Sequence, residues 1–412
     1  MVGPRAQQFF FAATDFQLSQ KEVYGFTVPV FGRNIVYDAP TKVMQQQLKF
    51  VHKGLNQINM AAHCAKIVRE AEEYFATLPD EGEMDLMVFL SELIILTASR
   101  CLLGQEIRET VHAEFAQLYQ DLSDGMNHLT FFWPNAPTER HRKRDEARAK
   151  IASIFGKVIE NRRATGEKHD DFLQVLVDAE YMDGSQATTD EIVGLLLAAL
   201  FAGQHTSNIT STWLGMSVLR RDKDGVNPNG PLLPKILKEQ EEVMKKYNNE
   251  INLDSLAEMD LLHQCVKETL RMYPPLIILM RKCLESMTYT NKDGKEIVIP
   301  KGDIVAVSPP VAHRLEEVYK NPEEFEPERF LPGREEDMKE KNSFLAFGGG
   351  RHGCLGERFG FLQVKTIWSL LFRHFDWELC GPHPQRDFSA TVVGPKMPCP
   401  IKYKRKIPLN KK

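Results

Sequence analysis

The chain has 412 residues, 42% of them hydrophobic and 26% charged, and its 52 basic and 56 acidic side chains give a net charge of −4. This length suffices for one large domain or two ordinary ones, with a core able to enclose a cofactor. The nearly balanced charge does not indicate a nucleic-acid-binding protein. Seven scattered cysteines, without a Cys-x-x-Cys pair, argue against a disulfide framework or a zinc site.

Helical periodicity dominates the sequence. The short apolar run at residues 9–13 is expected in the core, because it is too short for a membrane anchor. The sequence Thr188-Thr189-Asp190-Glu191 predicts a capping box at the start of the longest helix. The predicted helices cover residues 43–75, 86–103, 109–125, 142–163, 172–180, 191–219, 232–246, 256–272 and 358–375.

Strand signals concentrate late in the chain. Residues 287–290 and 296–299 flank the turn sequence NKDG, which predicts a hairpin. Further strands are predicted at residues 304–307, 390–393 and 401–403. A loop is predicted at Pro228, Pro231 and Pro234. The chain therefore reads as one mainly α domain with a minor β-region.

A glycine-rich loop precedes the last predicted helix. Residues 347–356 read FGGGRHGCLG, and their glycines permit positive φ and a close approach to a flat ligand. Cys354 lies near the N-terminus of the helix that follows, where the helix dipole and free N–H groups favour a thiolate. Such a thiolate is typical of the axial ligand of a haem-thiolate oxygenase. The alternative is a glycine-rich turn that holds a buried core cysteine.

Two further motifs lie upstream of this loop. Glu268 and Arg271 share one face of a predicted helix, and residues 327–330 read PERF. A glutamate that bridges Arg271 and Arg329 would form a buried ionic network that fixes geometry. Alone, the Glu-x-x-Arg pair is far more typical of a solvated helix, so the order of the motifs carries the interpretation.

The longest predicted helix contains the sequence AGQHTS at residues 202–207. Its apolar lead-in predicts a buried helix, and Gly203 costs about 1 kcal/mol in a helix interior. This cost is understandable if a small molecule packs against the backbone there and bonds to Thr206. His205 and Thr206 are therefore candidates for delivering protons to bound oxygen. The alternative for His205 is a satisfied core histidine.

Along the chain, the four elements follow in the order of the AGQHTS helix, the Glu-x-x-Arg pair, the PERF segment and the cysteine loop. In that order they resemble the cytochrome P450 family over essentially the whole chain. The sequence GQHTS at residues 203–207 and the sequence YGFTVPVFGRNIVYD at residues 24–38 resemble the sterol 14α-demethylase branch. The resemblance implies a mainly α P450 fold and a single haem-thiolate monooxygenase domain over residues 1–412. It also implies that the membrane anchor, first helix and first strands of the family are missing, so the domain is expected to be incomplete at its N-terminus.

The resemblance also implies residue roles. Cys354 is the expected iron ligand, and Asp145 is expected to pair with His205. The expected haem contacts are Tyr24, Tyr37, Arg281, His352, Phe347 and Gly348, of which Arg281 and His352 suit a charge-assisted bond to a propionate. The expected substrate cavity is lined by Phe26, Phe31, Tyr37, Ala202, Ile277, Leu279, Met280 and Val392. Where many members carry a basic residue, this chain has Gln45 and Leu48, with Lys42 or Lys49 as candidate substitutes.

The expected activity is oxidative removal of the 14α-methyl group of a sterol precursor in three oxygenations. It implies haem b, O2 and NADPH electrons from a reductase. A full-length monomer is expected on the cytosolic face of the endoplasmic reticulum membrane, although this chain carries no anchor. Phe26 resembles enzymes that prefer sterols with one methyl at carbon 4, such as obtusifoliol or norlanosterol, over lanosterol. Alternatives are a monooxygenase acting on another lipid and a non-catalytic haem-binding remnant.

Overall fold

The computed structural model describes residues 1–110, 112–220 and 232–407. Its helices are α1 (Pro4–Ala12), α2 (Lys21–Tyr24), α3 (Val28–Phe31), α4 (Thr41–Gly54), α5 (Gln57–Ala76), α6 (Leu86–Leu102), α7 (Gln105–Thr110), α8 (His112–Asp124), α9 (His128–Phe132), α10 (Glu139–Thr165), α11 (Phe172–Val177), α12 (Thr189–Val218), α13 (Leu232–Lys246), α14 (Leu253–Ala257), α15 (Asp260–Met272), α16 (Pro309–Ala312) and α17 (Glu357–His374). Its strands are β1 (Leu18–Ser19), β2 (Glu81–Asp85), β3 (Leu279–Cys283), β4 (Met287–Thr290), β5 (Glu296–Ile299), β6 (Ile304–Val307), β7 (Phe375–Leu379), β8 (Arg386–Asp387), β9 (Gly394–Pro395) and β10 (Pro400–Arg405).

Helix α12 runs through the core and packs against α6, α10, α15 and α17. It begins at the predicted capping box, in which Thr188 and Glu191 satisfy each other's backbone N–H groups. A Cβ atom at Gly215 would lie 2.5 Å from Trp368, so glycine permits the close approach of α17. By length and composition α12 is apolar enough to cross a membrane, yet 61% of its most apolar window is buried, as in a core helix.

Within the described residues, four small antiparallel sheets flank the helices, with strand orders β1-β3-β6, β2-β10-β7, β4-β5 and β8-β9. The predicted hairpin forms, and Met287 pairs with Ile299. In the first sheet, Leu18 pairs with Cys283 and Arg281 pairs with Val305. This sheet thus joins the N-terminal segment to the strand that carries Arg281.

Two predicted helices are each divided in two in the structure. The helix predicted over residues 43–75 ends at Gly54 and restarts at Gln57, because the Asn56 side chain accepts N–H groups of Ile58 and Asn59. The helix predicted over residues 256–272 is likewise divided into α14 and α15. The helix predicted over residues 109–125 corresponds to parts of α7 and α8, with residue 111 outside the described residues.

Some local predictions are wrong. Residues 390–392 form bends and Val393 has no regular structure, whereas the neighbouring pairs Arg386–Asp387 and Gly394–Pro395 form the strands. The predicted loop at Pro228 and Pro231 lies outside the described residues. Pro234 lies in the first turn of α13, where a missing N–H group costs no helical hydrogen bond. In the run at residues 9–13, Phe10, Phe11 and Ala13 are buried as expected, whereas Phe9 is partly buried and Ala12 is exposed; residues 9–12 belong to α1.

Candidate functional site

The loop that carries Cys354 is fixed by its own backbone. The N–H group of Cys354 donates to the carbonyl oxygen of Phe347 at 2.8 Å, and Gly348 and Gly350 adopt φ values of 69° and 65°. A Cβ atom at Gly350 would lie 2.4 Å from the carbonyl oxygen of Phe11, so α1 packs directly against the loop. Phe347 packs against Phe361 of α17, with ring centroids 5.4 Å apart.

Cys354 lies two residues before Gly356, the N-cap of α17, as the sequence predicts. Its side chain is exposed, although neighbouring protein atoms desolvate the sulfur. Desolvation raises the pKa of the Cys354 thiol, and the N–H groups of Gly356 and Glu357 act in the opposite direction. The expected lowering of this pKa is therefore outweighed here, and a bound metal ion would be what deprotonates the thiol outright.

Arg281 provides an unpartnered buried cation at the centre of the site. Its side chain is 2% exposed, and its guanidinium stacks over Phe10 at 4.8 Å. Its Nε and Nη1 atoms lack a hydrogen-bond partner among the described residues. A buried guanidinium is costly unless an anion pairs with it, so these two donors fit a carboxylate of a bound group.

Tyr24 and Tyr37 line the same space. Their rings stack with centroids 4.9 Å apart, and the Tyr24 hydroxyl accepts the N–H group of Met280 at 3.3 Å. Desolvation raises the pKa of Tyr37, the fields of Tyr24 and Cys354 raise it further, and Arg281 lowers it. Because these electrostatic effects act at short range, they indicate that Tyr24, Tyr37, Arg281 and Cys354 lie close together in one site. Lys42, Gln45 and Lys49 are exposed, and Leu48 is partly buried.

His352 has an acidic partner that the sequence did not predict. Its Nε2 atom lies 2.5 Å from Oδ1 of Asp15, and Arg351 Nη1 lies 3.9 Å from Oδ2 of the same carboxylate. Burial lowers the pKa of His352 while Asp15 raises it. The segment after α1 therefore holds the basic end of the cysteine loop, and only the tertiary structure reveals this pairing.

The face of α12 around Gly203 borders open space. A Cβ atom at Gly203 would meet no atom within 4 Å, and Ala202 is exposed although most of α12 is buried. The Thr206 hydroxyl donates to the carbonyl oxygen of Ala202 at 2.7 Å. This bond leaves the oxygen lone pairs of Thr206 available to a ligand. The room and the hydroxyl agree with the predicted use of this helix.

His205 lies against α8. Its Nε2 atom is 2.6 Å from the Ser123 hydroxyl oxygen, and its ring contacts those of Tyr119 and Phe201. Burial lowers the pKa of His205 to about 4, so the ring is neutral at pH 7.

The expected His205–Asp145 ion pair does not form between these two described residues. Asp145 instead accepts the Nε–H group of Arg144 at 2.8 Å. Because the side chain of Arg144 is fully buried, it requires a nearby counter-charge, and Asp145 is adjacent in the chain.

Glu268 joins the two predicted arginines. Its carboxylate accepts the Nε–H group of Arg271 at 2.7 Å and the Nε–H group of Arg329 at 3.0 Å, and the three side chains have no exposed surface. Arg329 also pairs with Glu336 at 2.6 Å. The network therefore fixes α15 against the PERF segment.

His313, which sequence reasoning missed, connects this network to the cysteine loop. Its Nδ1 atom lies 3.0 Å from the carbonyl oxygen of Arg271, and its Nε2 atom accepts the N–H group of Leu345 at 2.6 Å. These two bonds select the tautomer protonated on Nδ1. Burial lowers the pKa of His313 to about 3.

The predicted substrate residues come from four parts of the chain. Phe31 contacts Phe201 beside Ala202, with ring centroids 6.3 Å apart. The side chain of Leu279 approaches Gly348, and Met280 follows on the same strand. The N–H group of Val393 donates to Pro275 at 2.9 Å, which brings the Val392 segment beside the one carrying Ile277.

Phe26 stacks on Phe131 of α9 with centroids 3.8 Å apart. Phe131 was not predicted as a site residue, because α9 is only five residues long and carries no distinctive motif.

Comparisons with known proteins agree with this arrangement. The cytochrome P450 family model matches residues 6–404. An obtusifoliol 14-alpha demethylase of Sorghum bicolor is 45% identical over 407 residues, which cover 98% of this chain and 81% of that protein. A lanosterol 14-alpha demethylase of Bos taurus is 39% identical over 412 residues, which cover 98% of this chain and 78% of that protein.

A solved structure of a cyanobacterial CYP120A1 with bound retinoic acid superposes with a TM-score of 0.85 at 20% identity. It covers 98% of this chain and 88% of that structure, and at this identity the likeness shows the fold alone. The family match and the two relatives carry the assignment: the chain belongs to the cytochrome P450 family, within the sterol 14-demethylase group.

Proposed function

We propose that this protein is a haem-thiolate monooxygenase that removes the 14α-methyl group of a sterol precursor in three successive oxygenations. The observation that carries the proposal is that Cys354 lies close to Tyr24, Tyr37 and Arg281. The Nε and Nη1 atoms of Arg281 have no hydrogen-bond partner among the described residues. The identities of 45% and 39% to proteins named for obtusifoliol and lanosterol 14-alpha demethylation support the reaction class.

The haem, when bound, supplies oxygen activation. In this proposal Cys354 would supply the sulfur ligand of the haem iron. Arg281, His352, Tyr24 and Tyr37 bind the two carboxylates and fix the orientation of the ring. Phe347 and Gly348 provide a flat, close-packed wall, since Gly348 at φ 69° has no side chain to intrude.

Residues of α12 and α8 handle protons. The Thr206 hydroxyl, with free lone pairs, binds and orients a proton donor beside the open face of Gly203. Neutral His205 has one donor and one acceptor nitrogen, so it accepts a proton from the Ser123 hydroxyl at Nε2 while it releases the proton on Nδ1, which leaves the ring with zero charge. The Ser123 oxygen recovers its proton from solvent. Ser123 is partly exposed, which connects the buried imidazole to solvent.

The proposed substrate is a sterol with a single methyl group at carbon 4, such as obtusifoliol or norlanosterol. Phe31, Ala202, Ile277, Leu279, Met280 and Val392 offer an almost wholly apolar lining, which suits a sterol ring system. Phe26 fills volume beside carbon 4, and its stacking on Phe131 restrains the ring. An added methyl group there meets an overpacked wall.

Electrons come from NADPH through a reductase, and the enzyme is a monomer on the cytosolic face of the endoplasmic reticulum membrane. The test is reconstitution with haem, a reductase and defined sterols. Formate release and the ratio of product to NADPH consumed measure the reaction. We expect the monomethyl sterol to be demethylated, and Thr206→Ala to keep sterol binding while consuming NADPH without product. Absence of formate from all sterols tested would contradict the proposal.

A further inference from the structure

The turn that carries Tyr37 contains a strained residue. Asn34 has φ 59° and Val36 has φ 45°, both in the left-handed region. Asparagine tolerates this conformation, but for a β-branched valine it is a genuine outlier. Such strain persists only where the surroundings over-determine it, and it concentrates at functional sites. Some neighbouring group must therefore hold Val36 in place.

Gln47 of α4 is that group. Its side chain has no exposed surface, its Oε1 atom accepts the N–H group of Val36 at 2.8 Å, and its Nε2 atom donates to the carbonyl oxygen of Asn34 at 2.9 Å. One amide thus satisfies the backbone on both sides of Ile35. The Asp38 carboxylate closes the turn from the other side by accepting the N–H group of Asn34 at 2.8 Å.

A second contact ties Gln47 to the long helix. Its Nε2 atom also lies 3.3 Å from the Tyr181 hydroxyl, which donates to Glu191 at 2.9 Å. Glu191 belongs to the capping box of α12. The Gln47 amide of α4 therefore holds the turn and also connects it, through Tyr181, to the start of α12.

We propose that Gln47 is a positioning residue for haem binding, which holds the strained Asn34–Val36 turn so that Tyr37 faces the bound group. It acts only through Tyr37 and touches neither haem nor substrate. This inference rests on the proposed role of Tyr37 in the haem site. A buried glutamine that only filled the core would have no such role in haem binding.

The test is the rate at which reconstituted protein loses haem to an excess of a haem-scavenging protein. Gln47→Leu has a similar side-chain volume but removes the bonds to Val36 and Asn34 together with the contact to Tyr181. We expect this variant to lose haem about 10-fold faster than the wild type. His52→Leu, at an exposed position of the same helix, is the matched control and keeps the wild-type rate. Gln47→Glu retains an oxygen acceptor for the N–H group of Val36. Its rate of haem loss should therefore lie between the wild-type rate and that of Gln47→Leu.

A double-mutant cycle separates positioning from general stability. In a Tyr37→Phe background, Gln47→Leu should increase the rate of haem loss by less than about twofold. The reason is that both substitutions act on the same contact, the one between Tyr37 and haem. The melting temperature of the haem-free variants monitors folding. A wild-type rate for Gln47→Leu, or a full additional effect in the Tyr37→Phe background, overturns the inference. Failure of the unmutated chain to bind haem would instead contradict the proposed function.

Discussion

The Ser123 hydroxyl oxygen lies 2.6 Å from Nε2 of His205, across the contact between α8 and α12. A buried, neutral imidazole is thereby joined to a partly exposed hydroxyl without an acidic residue between them. Because Asp145 pairs with the buried Arg144, the proton route that we propose differs from the one that the sequence resemblance implies.

This difference predicts unequal effects of two substitutions. Ser123→Ala should lower kcat by at least about 10-fold and uncouple NADPH use from product, whereas Asp145→Asn should change kcat by less than about twofold. His205→Ala should be slower still, by roughly 10²-fold. The ratio of product to NADPH in each variant is the measurement. The reverse order of Ser123 and Asp145 would restore the acid as the partner of His205.

The buried ionic network predicts a large loss of stability. Glu268→Gln leaves the buried Arg271 without a carboxylate partner among the described residues, while Arg329 keeps Glu336, and this should cost about 3–5 kcal/mol in the free energy of unfolding. Glu258→Gln, in an exposed pair with Lys246, is the matched control and should leave stability at the wild-type value. Chemical unfolding measures both. Equal stability of the two variants would mean that Glu268 has no structural role.

His313 predicts a specific sensitivity to acid. Its pKa is lowered to about 3 in the folded protein, from an unfolded value of about 6.5. The unfolded state therefore binds the proton first. The stability contributed by the neutral ring is complete above pH 6.5 and is lost as the pH falls toward 3, by up to about 1.4 kcal/mol per pH unit.

His313→Gln should accordingly flatten the dependence of the free energy of unfolding on pH over this window. The same replacement at His52, which is exposed on α4, is the control and should retain the wild-type slope. Unfolding curves at several pH values provide the slopes. An unchanged slope in the His313 variant would show that this ring does not resist protonation.

Substrate choice provides a prediction at Phe26. One methyl group excluded by shape is worth about 1–3 kcal/mol, or roughly a 10- to 200-fold preference in kcat/KM for the monomethyl sterol. Phe26→Leu should raise lanosterol turnover and leave the haem spectrum unchanged. Phe131→Leu should act in the same direction, because it releases the stacked ring. Equal rates on both sterols before mutation would refute a steric role for Phe26.

Much of the fold is predictable because long-range packing and local periodicity agree. The predicted bounds of α13 match the structure, and the hairpin of β4 and β5 forms around its turn sequence. The breaks at Asn56 and Met259 interrupt periodic patterns that continue across them, so periodicity alone does not locate them. Helix α1 was missed because its apolar residues form one short continuous run at residues 9–12 instead of the i, i+3, i+4 spacing of an amphipathic helix, and Phe11 packs against the cysteine loop.

The candidate site divides in the same way. Cys354, Glu268 and Arg271 belong to local motifs with recognisable spacing. Their partners arise from contacts between distant segments: Asp15 with His352, Ser123 with His205, and His313 with Leu345. No local sequence pattern marks an aspartate, a serine or a histidine for such a role, so these residues emerge only from the tertiary structure.

The central claim is that Cys354 is the ligand of a haem-thiolate centre. The most direct measurement is the carbon-monoxide difference spectrum of the reduced, haem-reconstituted protein. Thiolate ligation predicts a red-shifted Soret band in the wild type and in the Cys64→Ala, Cys101→Ala and Cys380→Ala variants, and loss of that band in Cys354→Ala. A normal red-shifted band in Cys354→Ala, or its absence from the wild-type protein, would contradict the account.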